Sequence, residues 1–401
     1  MNLFEQVTAA PPDPILGLTE AFRNDPNPDK INLSVGIYQD ESGKSPVLDC
    51  VREAEKRLTQ VDSSKSYLPI NGHPDYLGHT QRMVFGEGNE MIQTRSIASA
   101  HTPGGTGGLR LAGDFIRQCL GKRTIWVSNP TWANHQGIFN RADLDVAVYP
   151  YYNPETRGLN VEGMIAVLED IPENDVVLFH ACCHNPSGVD PSEKIWETIA
   201  KVCKERRLLP LLDFAYQGFA TGWIDDAVAI RAFSEYGMEF LVCSSFSKNF
   251  GLYQDRVGAL HVVAKNPDEA ARVLSQLKAL VRTNYSNPPA HGSAIVSTIL
   301  NDRDLTQQWE EELKAMRVRI NSVRDQFVDA LSKAGAPGDF SFIREQKGMF
   351  SFSGLSPEQV QYLKDKYSIY IVKSGRINVA GINSSNINRL CAAIADAMKQ
   401  A

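Results

Sequence analysis

From Thr102 onward, apolar runs of five to seven residues alternate with stretches of helical period. Thr124–Ser128, Asp175–His180, Leu208–Leu212, Phe240–Ser245 and Val257–Val263 read as strands, each closed by polar or glycine punctuation. Gly104–Cys119 and Pro191–Arg206 read as helices between them. Strands alternating with helices predict an α/β fold with a mostly parallel sheet between helices. After Pro289 the character changes. Trp309–Ser332 is a long, charged, periodic helix that reads as a connector. Met349–Phe352, a helix from Pro357 and a strand Ser368–Val372 then predict a smaller α+β unit, which Lys30–Tyr38 is expected to join. Pro11-Pro12-Asp13-Pro14 predicts an extended N-terminal arm, because each proline disfavours helix in the residue before it. Such an arm fits a neighbouring chain or a frayed end equally.

Composition narrows the classes. The chain has 401 residues, 43% hydrophobic and 22% charged, enough to bury a sizeable core. With 41 basic and 47 acidic side chains the net charge is −6, so no global basic footprint for nucleic acid exists. No apolar run approaches the ~20 residues that cross a bilayer. Met1–Val7 has no basic segment followed by an apolar one, which argues against a signal peptide. Seven scattered cysteines, without a C-x-x-C pair, read as free thiols in a reducing cytoplasm rather than a disulfide framework or a zinc site.

In an open α/β sheet, ligands sit beyond the carboxyl ends of the strands. Polar clusters fall there four times: Ser128–Trp132, His180–Gly188, Asp213–Tyr216 and Ser244–Lys248. Lys248 follows an apolar strand; if desolvated it becomes an amine nucleophile, and otherwise it simply caps the sheet. Asp213 ends another strand, where it either pairs with a cation, such as a protonated ring nitrogen, or caps the next helix. Asn185, before Pro186, suits a phenolate-like oxygen or a plain turn. Thr102-Pro103-Gly104-Gly105-Thr106-Gly107-Gly108 runs into a helix, where free backbone N–H groups hold an anion such as phosphate, or merely enter the helix. It is neither G-x-G-x-x-G nor G-x-x-x-x-G-K-[ST]. Arg256, Arg282 and Arg376 are candidate carboxylate or phosphate binders. Trp132 is a candidate plate for a flat ring, or core. Together these suit pyridoxal phosphate and an amino-acid substrate.

Ser245-Phe246-Ser247-Lys248-Asn249-Phe250-Gly251-Leu252-Tyr253, with Arg256-Val257-Gly258, Ser286-Asn287-Pro288-Pro289-Ala290 and Asp213-Phe214-Ala215-Tyr216-Gln217-Gly218-Phe219, closely resembles the aspartate aminotransferase family, class I aminotransferases of fold type I. The resemblance runs from Asp13-Pro14-Ile15-Leu16-Gly17-Leu18 to Ser374-Gly375-Arg376. It implies a large pyridoxal-phosphate domain at 45–315, built on a seven-stranded sheet. It implies a small domain from 13–44 and 316–401, and an arm at 1–12 on the interface of a homodimer. Lys248 resembles the Schiff-base lysine that also moves the proton from substrate Cα. Asp213 resembles the carboxylate on the ring nitrogen. Asn185 and Tyr216 resemble the pair on the phenolic oxygen, and Gly105, Thr106, Ser245 and Arg256 resemble the phosphate contacts. Trp132 resembles the stacking ring, and Tyr67 a tyrosine reaching the phosphate in the neighbouring subunit. For the substrate, Arg376, with Gly36, Trp132 and Asn185, resembles the α-carboxylate site. Arg282 resembles an arginine lent by the partner to a side-chain carboxylate.

The activity implied is transamination between L-aspartate and 2-oxoglutarate, ping-pong through pyridoxamine phosphate, at active sites shared across the dimer. The alternative is the aromatic-amino-acid branch, which keeps both arginines. Gln39 and Ser45 depart from the Lys and Thr of a strict bacterial aspartate enzyme, whereas Asn287, Asn129 and Asn134 fit the aspartate branch. Arg282 argues against a lyase on the same fold. A silent DNA-bound regulator lacks a basic helix here, and a P-loop ATPase lacks its G-K-[ST]. The sequence leaves the isomers of Asn129-Pro130 and Asn185-Pro186 open.

Overall fold

A computed structural model describes residues 2–9, 16–61 and 64–400. The Pro11–Pro14 arm expectation lies outside these residues. Seven strands form the central sheet, numbered here in chain order: β1 Ile97–Pro103, β2 Thr124–Asn129, β3 Asp145–Pro150, β4 Val176–His180, β5 Leu209–Phe214, β6 Phe240–Ser245 and β7 Val257–Val263. Their order across the sheet is β1-β7-β6-β5-β4-β2-β3. β7 runs antiparallel to both neighbours, and the remaining pairs are parallel.

The strands are apolar throughout because both faces are covered. Val176 and Leu178 enter one core cluster, while Val177 and Phe179 enter the other, as a period of two requires. Leu209–Phe214 and Phe240–Ser245 divide in the same way between the two clusters. The two edge strands were not read from the sequence. Ile97–Pro103 has a single large aliphatic side chain, yet is buried along nearly its whole length. Asp145–Pro150 carries the short apolar run Val146–Tyr149 but is partly exposed along most of its length.

Helices Gly104–Cys119 and Glu193–Glu205 cover the sheet close to their predicted limits. The connector helix spans Arg303–Lys333. Leu305, Trp309, Leu313, Met316 and Ile320 pack into the core of the sheet, while Val323, Phe327 and Leu331 pack into a third cluster. That cluster also holds Ile31, Leu33, Ile343, Leu363, Ile369 and Leu390. Ile31–Asn32 pairs in parallel with Ile369–Tyr370, so the early segment joins the C-terminal unit as expected. One rigid helix therefore connects the two cores. All seven cysteines are free, and all but the half-buried Cys119 are buried. No helix among the described residues is long and apolar enough to cross a membrane.

Candidate active site

β5, β6 and the parallel strands around them all end at one edge of the sheet. β7 is antiparallel, so its start lies at that same edge. Val257 pairs with Pro103, and Gly258 with Ser245. Topology thus brings Gly105, Asp213, Ser245 and Arg256 together from distant parts of the chain. They line a cleft of about 250 Å³ with Gly36, Thr106, Trp132, Asn185, Tyr216, Lys248 and Arg376. Asn129-Pro130, directly after β2, and Asn185-Pro186, in the loop after β4, are both cis.

Lys248 lies in the turn after β6. Part of it faces the cleft, yet burial pulls its amine from 10.5 down to about 8, against the opposing pull of Asp213. Its Nζ stands 4.9 Å from the Tyr216 ring centroid. Lys248 forms no ion pair among the described residues. Burial also drives the Tyr216 hydroxyl far above its ordinary range.

Asp213 is in register with His180 on β4 and Cys243 on β6. Burial pushes its carboxyl up, but the hydrogen bond and charge of His135, with His180 and Lys248, outweigh that and hold it below 3.8. An ionised carboxylate can only accept. His135 Nε2 therefore donates to Asp213 Oδ2 at 3.1 Å, while His135 Nδ1 meets Thr131 Oγ1 at 2.8 Å. Behind this pair lies a run of buried rings. His180 is 5.1 Å from His135 and 4.4 Å from His184. His184 is held by Ser128 and Ser187 and stacks on Tyr151. Burial lowers His180 to about 3. Sequence reading missed His135; the signal was its place three residues after Trp132, on a helix leaving the same strand end.

At the opposite side, helix Gly104–Cys119 begins without a side-chain cap. The N–H groups of Gly105 and Thr106 therefore open onto the cleft at the positive end of the helix. Ser245 Oγ meets Ser247 Oγ at 3.3 Å, and Arg256 Nη1 donates to Ser247 Oγ at 3.2 Å. Gly104 lies so near this guanidinium that a Cβ would stand 2.5 Å from Arg256 Nη2. Hydroxyls, uncapped amides and a guanidinium converging on one point form an anion site.

Arg376 opens the strand Arg376–Asn378, which pairs with Phe350–Phe352. Nη1 donates to Asn185 Oδ1 at 3.1 Å and Nη2 to the Ser34 carbonyl at 2.5 Å. Nε has no partner among the described residues. The guanidinium lies 4.3 Å from the Phe350 ring centroid, and burial lowers it to about 10. Gly36 leaves room for that ring, since a Cβ there would stand 2.5 Å from Phe350 Cζ. Gly36→Ala is expected to displace the ring and lower kcat/KM by roughly tenfold to a hundredfold. Steady-state kinetics that match wild type would show that the ring yields freely.

Eleven of the thirteen sequence-predicted residues line this cleft. Tyr67 and Arg282 do not. Tyr67 is 91% exposed, beside Asn287 and Pro288 in a separate surface cleft. Arg282 is exposed on helix Pro267–Asn284 and donates to Ser286 Oγ. Tyr253 and Phe350 line the cleft and were not singled out, and Ser247, one of the serines flanking Lys248 that suit a phosphate, lines it too.

The family described as aminotransferase class I and II matches residues 28–394. Aspartate aminotransferase of Escherichia coli is 50% identical over 392 residues, 98% of this chain and 99% of that protein. An aromatic-amino-acid aminotransferase of Pseudomonas aeruginosa is 48% identical over 395 residues, 98% of this chain and 99% of its own. A crystal structure of the aromatic-amino-acid aminotransferase from Burkholderia pseudomallei, covalently bound to pyridoxal phosphate, superposes with a TM-score of 0.97. It is 46% identical and covers 99% of this chain and 100% of its own. The chain belongs to the class I and II aminotransferases.

Proposed function

We propose that the chain is a pyridoxal-phosphate-dependent transaminase that exchanges the amino group between L-aspartate and 2-oxoglutarate, giving oxaloacetate and L-glutamate. The observation that carries this reading is the convergence on one cleft of a low-pKa amine, Lys248, an anchored carboxylate, Asp213, and a guanidinium, Arg376, whose Nε has no partner among the described residues.

The donor set fits the cofactor. Gly105, Thr106, Ser245, Ser247 and Arg256 would hold the phosphate. Asp213, fixed by His135, would hold a protonated ring nitrogen, and Asn185 and Tyr216 the ring oxygen. Trp132 would cover one face of the ring. When bound, pyridoxal phosphate supplies the electron sink for charge left on substrate Cα. Lys248, freed as a neutral amine, takes the proton from Cα and returns one to complete the transfer. Arg376 binds the α-carboxylate and, with Gly36, orients Cα toward Lys248.

On this reading residues 45–315 form the cofactor domain. Residues 13–44 and 316–401 form the smaller one, which closes over substrate and excludes water. The protein acts as a cytoplasmic homodimer with residues 1–12 at the interface. Each subunit lends Tyr67 and Arg282 to its partner's cleft, which suits their exposure in the single chain. No nucleic acid or membrane takes part.

A second reading, aromatic-amino-acid transamination, is favoured by the 48% identical aromatic relative. Arg282→Ala separates them. With aspartate as the preferred substrate, kcat/KM for Asp should fall about a hundredfold or more, while Phe is little affected. Wild type that turns over Phe or Tyr as fast as Asp would place the enzyme in the aromatic branch.

A further inference from the structure

The connector helix Arg303–Lys333 carries one charged side chain inside the protein. Arg324 is 1% exposed, within a turn of the core residues Val323 and Phe327. A buried guanidinium usually rests on a carboxylate. Arg324 forms no ion pair among the described residues. Nη2 donates instead to the carbonyls of Gly348 and Phe350, each at 2.6 Å, and Nη1 to that of Ile343 at 3.3 Å. Nε has no partner among the described residues.

These three carbonyls belong to one short segment, and that segment reaches Arg376 from two sides. On one side, the Phe350 ring lies beneath the Arg376 guanidinium at 4.3 Å. On the other, the segment packs on the loop that carries Asn185. Lys347 N–H donates to the Gly188 carbonyl at 2.6 Å. A Cβ on Gly348 would stand 2.5 Å from Cys183 Cβ, and one on Gly188 2.7 Å from the Phe350 carbonyl oxygen. Asn185 in turn accepts from Arg376 Nη1.

We propose that Arg324 is a positioning residue for the substrate α-carboxylate: its fork fixes the Gly348 and Phe350 carbonyls, and through them the ring and the loop that aim Arg376. The inference rests on reading Arg376 as the carboxylate clamp. Arg324 itself does not line the cleft. A planar fork spans several carbonyls at once, whereas a lysine is a point charge and an apolar side chain offers no donor.

The test is steady-state kinetics of the full-length holoenzyme with Asp, Phe and 2-oxoglutarate. Arg324→Met should raise KM for all three by roughly tenfold or more, with kcat within about threefold. The Asp-to-Phe ratio should hold, because the α-carboxylate is common to every substrate. Arg324→Lys should recover part of the loss. A lowered Tm with unmoved KM would mean that Arg324 only supports the fold, and would overturn the proposal. Should Arg324→Met fail to fold, Arg324→Lys and Phe350→Leu decide. Each alone should raise KM, and their combination should add little; additive effects overturn the proposal. Wild type without transamination overturns the functional reading, whereas active wild type with unmoved KM in the variants overturns only this inference.

Discussion

Lys248→Ala is expected to lower the rate of amino-group transfer by about 10⁴-fold or more, since it removes the nucleophile and the proton carrier together. No neighbour can replace it. Among the residues lining the cleft it is the only lysine. The guanidinium groups of Arg256 and Arg376 have no basic lone pair to offer. Burial pushes the Tyr253 hydroxyl up to about 12 and lowers His180 to about 3, so neither is a base poised near neutrality. With a pKa of about 8, roughly a tenth of Lys248 is neutral at pH 7, against roughly one in three thousand at 10.5. The expected pH dependence follows from that sign. The lowered pKa makes the neutral amine accumulate as pH rises through about 8. Uptake of pyridoxal phosphate by the apo protein, followed by absorbance, should climb through that range and then level. Lys248→Arg keeps the positive charge but has no basic lone pair, and should be nearly as inactive as alanine. Single-turnover transfer from Asp provides the check. A small free amine should restore part of the rate to Lys248→Ala and none to Lys248→Arg, whose side chain still fills the space. Transfer by the alanine variant within tenfold of wild type would remove Lys248 from the chemistry.

Much of the site was legible because its residues sit at strand ends. There an apolar run meets a polar cluster, and the contrast is visible without structure. Lys248 after Phe240–Ser245 and Asp213 at the end of Leu209–Phe214 are the clearest cases. The central strands were legible for the same reason: two covered faces leave no polar alternation. The edge strand Ile97–Pro103 carries no such signal. Ile97–Pro103 is buried with small and hydroxylated side chains, so its burial comes from the helices and the strand around it, not from its own hydrophobicity. His135 was missed because its role depends on a long-range meeting. It starts from a helix after β2 and touches a carboxylate on β5, a separation of 78 residues. Arg324 was illegible for a related reason. On a charged connector helix an arginine reads as solvated surface, and only the packing of Ile343–Phe350 turns it inward. Tyr67 and Arg282 mark a different boundary. Resemblance assigns them to a partner's cleft, and a single chain leaves both exposed.

Asp213→Asn carries the second large effect. The variant is nearly isosteric and keeps a polar contact for His135 Nε2, but it removes the one negative charge among the cleft-lining residues. A fixed, dry charge aimed at a developing one typically contributes about 10²–10³ in rate, and kcat/KM for Asp should fall by that much. Stability should move differently. His135, His180 and Lys248 together outweigh the burial cost of the Asp213 charge, so neutralising it loses more than it relieves, and Tm should fall modestly. Asp213→Ala should lower Tm further, because it also leaves the buried His135 donor unsatisfied, at a cost of ~1–3 kcal/mol. The charge also acts on Lys248. Asp213 favours the ammonium form and works against the downward pull of burial and of Arg256. Removing it should therefore shift the midpoint of cofactor uptake below about 8, whereas Asp213→Glu, which keeps the charge, should leave the midpoint closer to wild type. The three readouts separate three roles. A large rate loss with only a small fall in Tm and a lowered midpoint identifies an electrostatic anchor, and a rate loss that tracks Tm across the Asn and Ala variants identifies a structural one. Rates within tenfold of wild type in Asp213→Asn would show that the ring nitrogen needs no carboxylate, and the assignment of Asp213 would fall.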